Sequence, residues 1–316
     1  MTFVLPPSDD VIAAALAEDL GVAPERIGEP SLASASLLDA DVTSAATVPA
    51  GAVFTGRIVA RDAGVVCGLP LVARLYEILG RAADAGPVEC FPLVAEGAGV
   101  ARGDAVMEIE GPARLVLAGE RSALDLVMVL SGIASEARRW QAEAGEALAV
   151  TDTRKTLPGL RALSKYAVTV GGAHNHRAGL YDMVLVKDNH IVHAGGITVA
   201  VRAAREANPD LSLECEADSV EQAAEAARAG ADYVLLDNMD DATLTRAVAA
   251  VREAAAGRPV LTEASGRVRF ERLRALAATG VDRVSTSALT FAGPLDFGLD
   301  SDTGCPGQGG NDELRG

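Results

Sequence analysis

Basic residues other than arginine are scarce in this 316-residue chain. It holds three lysines and four histidines, all seven of them between Lys155 and His193. Scattered at random, seven residues would place about one in a stretch of that length. Cysteine is also sparse. Cys67, Cys90, Cys215 and Cys305 show neither paired nor metal-ligand spacing, so reduced thiols in a cytoplasmic protein are expected and a disulfide framework is not. No run of eighteen apolar residues occurs, which excludes a spanning helix. The first residues lack a basic region followed by an apolar run, so no signal peptide is expected. The histidines have no HExxH context and no flanking cysteine, which argues against zinc. There is no GxSxG elbow for acyl-enzyme chemistry and no GxGxxG after a strand for a dinucleotide. With a net charge of −16, neither nucleic acid nor an anionic membrane is a natural partner.

What is present is concentrated in residues 151–193. Between Arg154 and His193 lie six Lys or Arg against two acids, Asp182 and Asp188. An anionic ligand needs such a local basic pocket in an acidic chain. Gly171 and Gly172 in the same stretch allow close backbone approach to an anion.

Hydrophobic residues make up 49% and charged residues 23%, as in ordinary soluble proteins, and the length favours two domains. Ser8 or Asp9 can cap an opening helix over 8–20, with Val11, Ile12, Ala15, Leu16 and Leu20 on one face and Gly21 as its stop. Residues 22–40 read as irregular. Residues 46–69 and 88–117 read as short antiparallel strands and turns, separated by a helix over 69–79 that Pro70 opens. A long helix is expected over 120–144. Six strand–helix units follow, with apolar runs in ALAVTDTRK, DMVLVKDNH, LSLECEADS, DYVLLDN, PVLTEAS and RVSTSAL. Ala-rich helices ending at Gly lie between several of them. This rhythm implies a parallel sheet with helices outside, hence a closed or nearly closed α/β barrel, with a doubly wound open sheet as the alternative. The expected domains are 1–120, joined by part of 288–300, and 121–287. The Gly-rich tail, 301–316, is expected to be disordered.

In an α/β barrel the working residues lie at the carboxyl ends of the strands. Those ends carry Asp152, Arg154 and Lys155, then Lys187, Asp188, Asn189 and His190. Glu214, Glu216, Asp237, Asn238, Glu263, Ser265, Ser285 and Ser287 follow. One side of the ring is cationic and suits carboxylates and phosphates. The other is acidic and suits a divalent cation or sugar hydroxyls. This is the layout for a phosphorylated sugar carrying a pyrophosphate beside a small acid.

The motifs TDTRKTLPGLR, KYAV, NHRAGLYD, VLVKDNHI, AGADYVLLDN and TEASG closely resemble those of the quinolinate phosphoribosyltransferase family. AEDLG, DVTSAATVPAG, GVVCGLP and GERSALDLVMVLSGIAS resemble its amino-terminal half, so the likeness covers nearly all of the chain but the tail. It implies an α/β-sandwich domain joined to an incomplete, open α/β barrel, in a homodimer with shared active sites. The implied reaction joins quinolinate to phosphoribosyl pyrophosphate with Mg²⁺, giving nicotinate mononucleotide, pyrophosphate and CO2. By the same resemblance, Arg154, Lys155, His176 and Arg177 would hold the dicarboxylate, and Lys187 a ligand carboxylate or phosphate. Arg121 would serve the neighbouring subunit. Glu216 and Asp237 would meet the ribose hydroxyls and the Mg²⁺-bound donor, with Lys155, Glu216 and Asp237 as the catalytic set.

The chain departs from the family pattern in four stretches. Asp125 stands for Asn, GGA (171–173) for GGG, and SGR (265–267) for SGG. In STSALTFAG (285–293), Ser287 stands for Gly and Phe291 for His. The last two departures touch loops implied to cradle the donor's 5′-phosphate, through Ser265, Gly266, Arg267 and Ser287. A diverged member acting on another pyridine carboxylate or donor, and a non-catalytic anion-binding barrel, are the alternative readings.

Overall fold

The computed structural model describes residues 3–28 and 35–302. The chain divides into two compact units, one running to Ser135 and resuming at Gly293, the other spanning 136–292. In order, the elements are α1 (Asp9–Leu20), α2 (Glu25–Gly28), α3 (Ala35–Leu38), α4 (Val42–Thr47), β1 (Val53–Ala60), β2 (Gly64–Val65), α5 (Leu69–Ala82), β3 (Glu89–Pro92), β4 (Gly99–Val100), β5 (Ala105–Pro112) and α6 (Ala113–Ala144). There follow β6 (Ala149–Thr151), α7 (Arg161–Val170), β7 (Val184–Val186), α8 (Asp188–Ala194), α9 (Ile197–Ala207), β8 (Leu213–Ala217), α10 (Val220–Ala229), β9 (Tyr233–Asp237), α11 (Asp241–Ala254), β10 (Leu261–Ser265), α12 (Leu273–Ala278), β11 (Arg283–Ser285) and β12 (Phe297–Ser301).

The first unit is an antiparallel sheet in the order β12-β1-β5-β3, a two-stranded β2-β4 pair and helices. The opening helix ends at Gly21, in the left-handed region at φ 63°, where an L side chain would be strained. Helix α5 buries Leu71, Val72, Leu75, Ile78 and Leu79. Its first amides are satisfied from a distance: the Glu96 carboxylate accepts from Gly68 N at 2.6 Å and Leu69 N at 3.1 Å.

Three expectations need correction. Helix α6 begins at Ala113, so 113–117 are helical and not strand. Leu115 and Val116 there are buried. The run ARLVL is apolar enough for either state, and continuity with a long amphipathic helix decides it. The region 22–40 contains the short helical turns α2 and α3. Ser301, placed in the tail, ends β12, and Asp302 N donates to Thr55 O at 2.9 Å. The rest of the expected tail lies outside the described residues.

The second unit is a six-stranded parallel sheet in the order β6-β11-β10-β9-β8-β7. Strands consecutive in the chain are neighbours from β7 to β11, and the last strand pairs with the first, which is the order of a barrel. A doubly wound sheet would reverse its order at an interior switch point, and none occurs. Strands β6 and β7 are not paired, so the barrel is open there. On that free edge the loop after α7 makes a single bridge: His174 N donates to Val150 O at 2.9 Å and Asp152 N to His174 O at 3.0 Å. Helix α10 buries an all-Ala face and α11 buries Leu244, Ala247, Val248 and Val251, and both start at side-chain caps. Ser219 accepts from Gln222 N at 3.2 Å and Asp240 from Thr243 N at 2.7 Å. Among the described residues no helix is long and apolar enough to cross a membrane.

Candidate active site

Parallel register fixes which side chains share a layer inside the barrel, because alternate residues point to one face. Leu235 pairs with Glu263 and Glu263 with Arg283. One register step towards the carboxyl ends, Asp237 pairs with Ser265 and Ser285 with Thr151. The site is therefore a rim of strand-end side chains over an inner layer that also carries charge.

The cationic part of the rim comes from the segments after β6 and α7. Among the described residues, Arg154 Nε is buried without a hydrogen-bond partner. Arg177 is half-buried and donates to Met183 O at 3.3 Å. Burial, and then the nearby charge of Arg154, push the Arg177 guanidinium below its ordinary range. Two like charges close enough to perturb each other, one of them with an unsatisfied N–H, suit an anion. The Lys155 side chain is exposed and, among the described residues, has no ion-pair partner; its carbonyl accepts from Thr290 Oγ1 at 2.7 Å. The loop carrying Arg177 is turned by Asp182, which accepts from Ala178 N at 2.7 Å and Gly179 N at 2.8 Å.

Across the rim stand the acids. Carboxylate oxygens of Glu216, Asp218 and Asp237 lie within 4.8 Å of one another, an all-oxygen set suited to a hard divalent cation. Lys187 reaches Glu216 at 3.1 Å. Burial still raises the Glu216 carboxyl, opposed by Lys187 and reinforced by Asp237. Beside these acids opens a cleft of about 610 Å³ lined in part by Asn238, Gly266, Arg267 and Arg272. Asn238 (φ 54°), Gly266 (φ 83°) and Arg267 (φ 48°) are all left-handed. A Cβ at Gly266 would come 2.3 Å from Asn238 Oδ1, so this position requires glycine. Ser287 is half-buried after β11, and Phe291 is exposed.

His176 lies beneath the cationic rim. Its Nε2 is 2.8 Å from Glu214 and 3.5 Å from Glu263, and Arg283 bridges both carboxylates. The His176, Glu214 and Glu263 donor atoms lie within 4.8 Å of one another and are able to coordinate a divalent cation. Here Arg283 supplies the positive charge. Burial, then the charge of Glu214, push the Glu263 carboxyl up to about 7. Burial opposes ionisation of Glu214 too, but His176 and Arg283 outweigh it and hold that carboxyl low.

Some structural partners carried no assigned role in the sequence reading. Lys165 is buried, 2.5 Å from Asp152 Oδ1 and donating to His176 O at 2.8 Å. Asp152 Oδ1 also accepts His176 N at 2.8 Å. With its amide oriented to satisfy its neighbours, Asn175 donates to Asp152 Oδ2 at 2.7 Å and to Lys165 O at 3.0 Å. Arg283 lies outside the residues to which the sequence motifs point. A signal existed: Glu214, Glu263 and Arg283 each interrupt a short run destined for a buried strand, where an unpaired charge is costly. Arg121 lies on α6 in the first unit, its side chain 58% exposed and 3.3 Å from Asp125.

Fold and site together define an open α/β barrel whose rim is divided between cations and carboxylates. The chain belongs to the quinolinate phosphoribosyl transferase family: residues 133–300 match its carboxyl-terminal domain and 41–131 its amino-terminal domain. It is 44% identical over 247 residues to a probable carboxylating nicotinate-nucleotide pyrophosphorylase of Synechocystis, covering 77% of this chain and 81% of that one. To the corresponding Mycobacterium leprae protein it is 42% identical over 263 residues, covering 82% and 90%. The crystal structure of NadC from Streptococcus pyogenes superposes with a TM-score of 0.82 at 32% identity, covering 95% of this chain and 98% of that one.

Proposed function

We propose that this protein is a carboxylating nicotinate-nucleotide pyrophosphorylase of pyridine nucleotide biosynthesis. It transfers the phosphoribosyl group of phosphoribosyl pyrophosphate to quinolinate, releasing pyrophosphate and CO2 and leaving nicotinate mononucleotide. The observation that carries this reading is the crowded pair of Arg154 and Arg177, with a buried unpartnered Nε–H, facing carboxylates across the rim.

In this reading Arg154, Lys155 and Arg177 meet the dicarboxylate with His176 behind Arg177, and Lys187 meets a carboxylate or phosphate. Pyrophosphate leaves as positive charge grows on the anomeric carbon. Glu216 and Asp237 stand where that charge and the ribose hydroxyls are expected, and their fixed negative charge favours the transition state. Once the ring nitrogen is bonded to the sugar it is quaternary. The bond to the adjacent carboxylate then breaks, its electron pair passes towards the ring cation, and the ring carbon takes up a proton. The acidic oxygens fit Mg²⁺, held through the donor or through water. Bound Mg²⁺ supplies neutralisation of the departing pyrophosphate. Purified protein with quinolinate, phosphoribosyl pyrophosphate and Mg²⁺ should consume quinolinate, seen as loss of its absorbance. Tight dicarboxylate binding without turnover would favour a diverged substrate pair instead.

The donor's 5′-phosphate belongs, in the same reading, near Ser265, Gly266, Arg267 and Ser287. The left-handed Arg267 on the cleft wall supports this, because a non-glycine residue is uncommon there. Arg267→Ala should lower donor affinity about 10- to 150-fold, the loss of one charge-assisted contact. Dicarboxylate affinity, titrated calorimetrically without donor, should stay at the wild-type value. An unchanged donor affinity would show that the phosphate is bound without Arg267.

A cytoplasmic homodimer with shared sites is part of this reading, with Arg121 serving the partner's site. Inactive Arg121→Ala and Lys155→Ala subunits should then complement when mixed. A mixed dimer has one site with both defects and one with neither. Random reassociation of equal amounts should restore about a quarter of wild-type activity. No recovery, with subunit exchange demonstrated, would confine Arg121 to its own subunit or exclude it from any site.

A further inference from the structure

The barrel layer beneath the rim is charged, where branched apolar side chains usually fill such an interior. Glu214 and Glu263 are each 0% exposed. Arg283 lies 3.0 Å from Glu214 Oε1, contacts Glu263, and stacks 4.0 Å over the Tyr233 ring. His176, with its side chain 7% exposed, sits on this layer with Nε2 2.8 Å from Glu214 Oε2. The other ring nitrogen, Nδ1, accepts the Arg177 backbone N–H at 2.8 Å. That contact leaves the ring proton on Nε2, the atom nearest the carboxylates. Nδ1 is thus hydrogen-bonded inside the protein, and Nε2 is turned to the buried carboxylates at ion-pair distance from Glu214.

The backbone around the ring is equally constrained. Asp152 accepts His176 N and Lys165 donates to His176 O, each at 2.8 Å. The residue that emerges from this clamp is Arg177, beside Arg154. A one-residue link therefore joins a buried ion-paired layer to the cationic rim.

We propose that Glu214, held by Arg283, is a positioning residue for the acceptor end of the site. It seats the His176 ring so that Nδ1 fixes the Arg177 amide and aims the Arg177 guanidinium at the dicarboxylate. His176 acts through Arg177 and makes no polar contact with the ligand. The identity of the ligand rests on the function proposed above; the positioning relation does not.

The test is Glu214→Gln, which keeps the side-chain size and leaves Arg283 paired with Glu263. Dicarboxylate affinity, titrated without donor, should fall on the order of 10-fold or more, as for loss of a charge-assisted contact. Affinity for phosphoribosyl pyrophosphate with Mg²⁺ should not change. Nitrogen NMR of His176 should show one fixed Nε2–H tautomer in the wild type and a mixed population in the variant. Adding dicarboxylate to the wild type should leave that tautomer pattern unchanged. If Glu214→Gln fails to fold, Glu214→Asp, which withdraws the charge by one methylene, is measured in the same way. Unchanged dicarboxylate affinity with an unchanged imidazole spectrum overturns the proposal. So does an equal loss for both ligands, or a ring nitrogen that becomes bonded to added dicarboxylate. If the wild type binds no pyridine dicarboxylate, the functional reading fails. The ligand-free imidazole spectra still decide whether Glu214 positions His176.

Discussion

Lys155→Ala is expected to abolish turnover while the barrel stays folded. The Lys155 side chain is exposed and, among the described residues, has no ion-pair partner, so folding does not draw on its charge. A cation left unpaired on a rim that already crowds Arg154 and Arg177 increases local repulsion. Its removal should leave stability unchanged or slightly higher, which thermal melting will show. The site, however, loses the compact ammonium that a departing pyrophosphate or a bound carboxylate would meet. Lys155→Arg should also be impaired, since a planar guanidinium does not replace a point charge at close range. Full activity in a correctly folded Lys155→Ala protein would remove Lys155 from the mechanism.

The largest stability effect is expected at Asp152. Its carboxylate holds Lys165 at 2.5 Å and His176 N at 2.8 Å. Burial drives the Asp152 carboxyl up and the Lys165 ammonium down, each towards its neutral form and against the attraction between them. The pair is therefore a poor source of net stability, but each partner needs the other. Asp152→Ala strands a buried ammonium and a backbone N–H, at a cost of about 3–5 kcal/mol. For a unit of this size, melting should fall roughly 2–4 °C per kcal/mol. Combining Asp152→Asn with Lys165→Met removes both charges and should recover part of the loss. A double variant as unstable as the sum of its parts would show that the two side chains do not act as a pair.

Which of these features a reader of the sequence finds depends on how far apart the interacting residues lie. The six barrel strands are legible because each is a short apolar run bounded by polar residues, and α9–α11 because their apolar faces recur at helical spacing and glycine or a cap closes them. The start of α6 is not, since ARLVL satisfies either period and only the helix downstream of it decides. Strand-end chemistry is legible too: Arg154, Lys155, Lys187, Glu216 and Asp237 follow runs whose carboxyl ends can be counted. Arg283 escapes because its two acid partners lie on other strands, with Glu214 69 residues away in sequence.

By itself the sequence determined the succession of strands and helices, the barrel class and the clustering of Lys and His within one stretch, because periodicity and turn chemistry act over a few residues. Only the tertiary structure decided where the barrel stays open, since the missing β6–β7 pairing is a relation between distant backbones. It also decided that Glu214, Glu263 and Arg283 share one buried layer, and that His176 turns towards it. Neither appears in local pattern, because the energy of a buried charge is set by whichever neighbours folding brings to it.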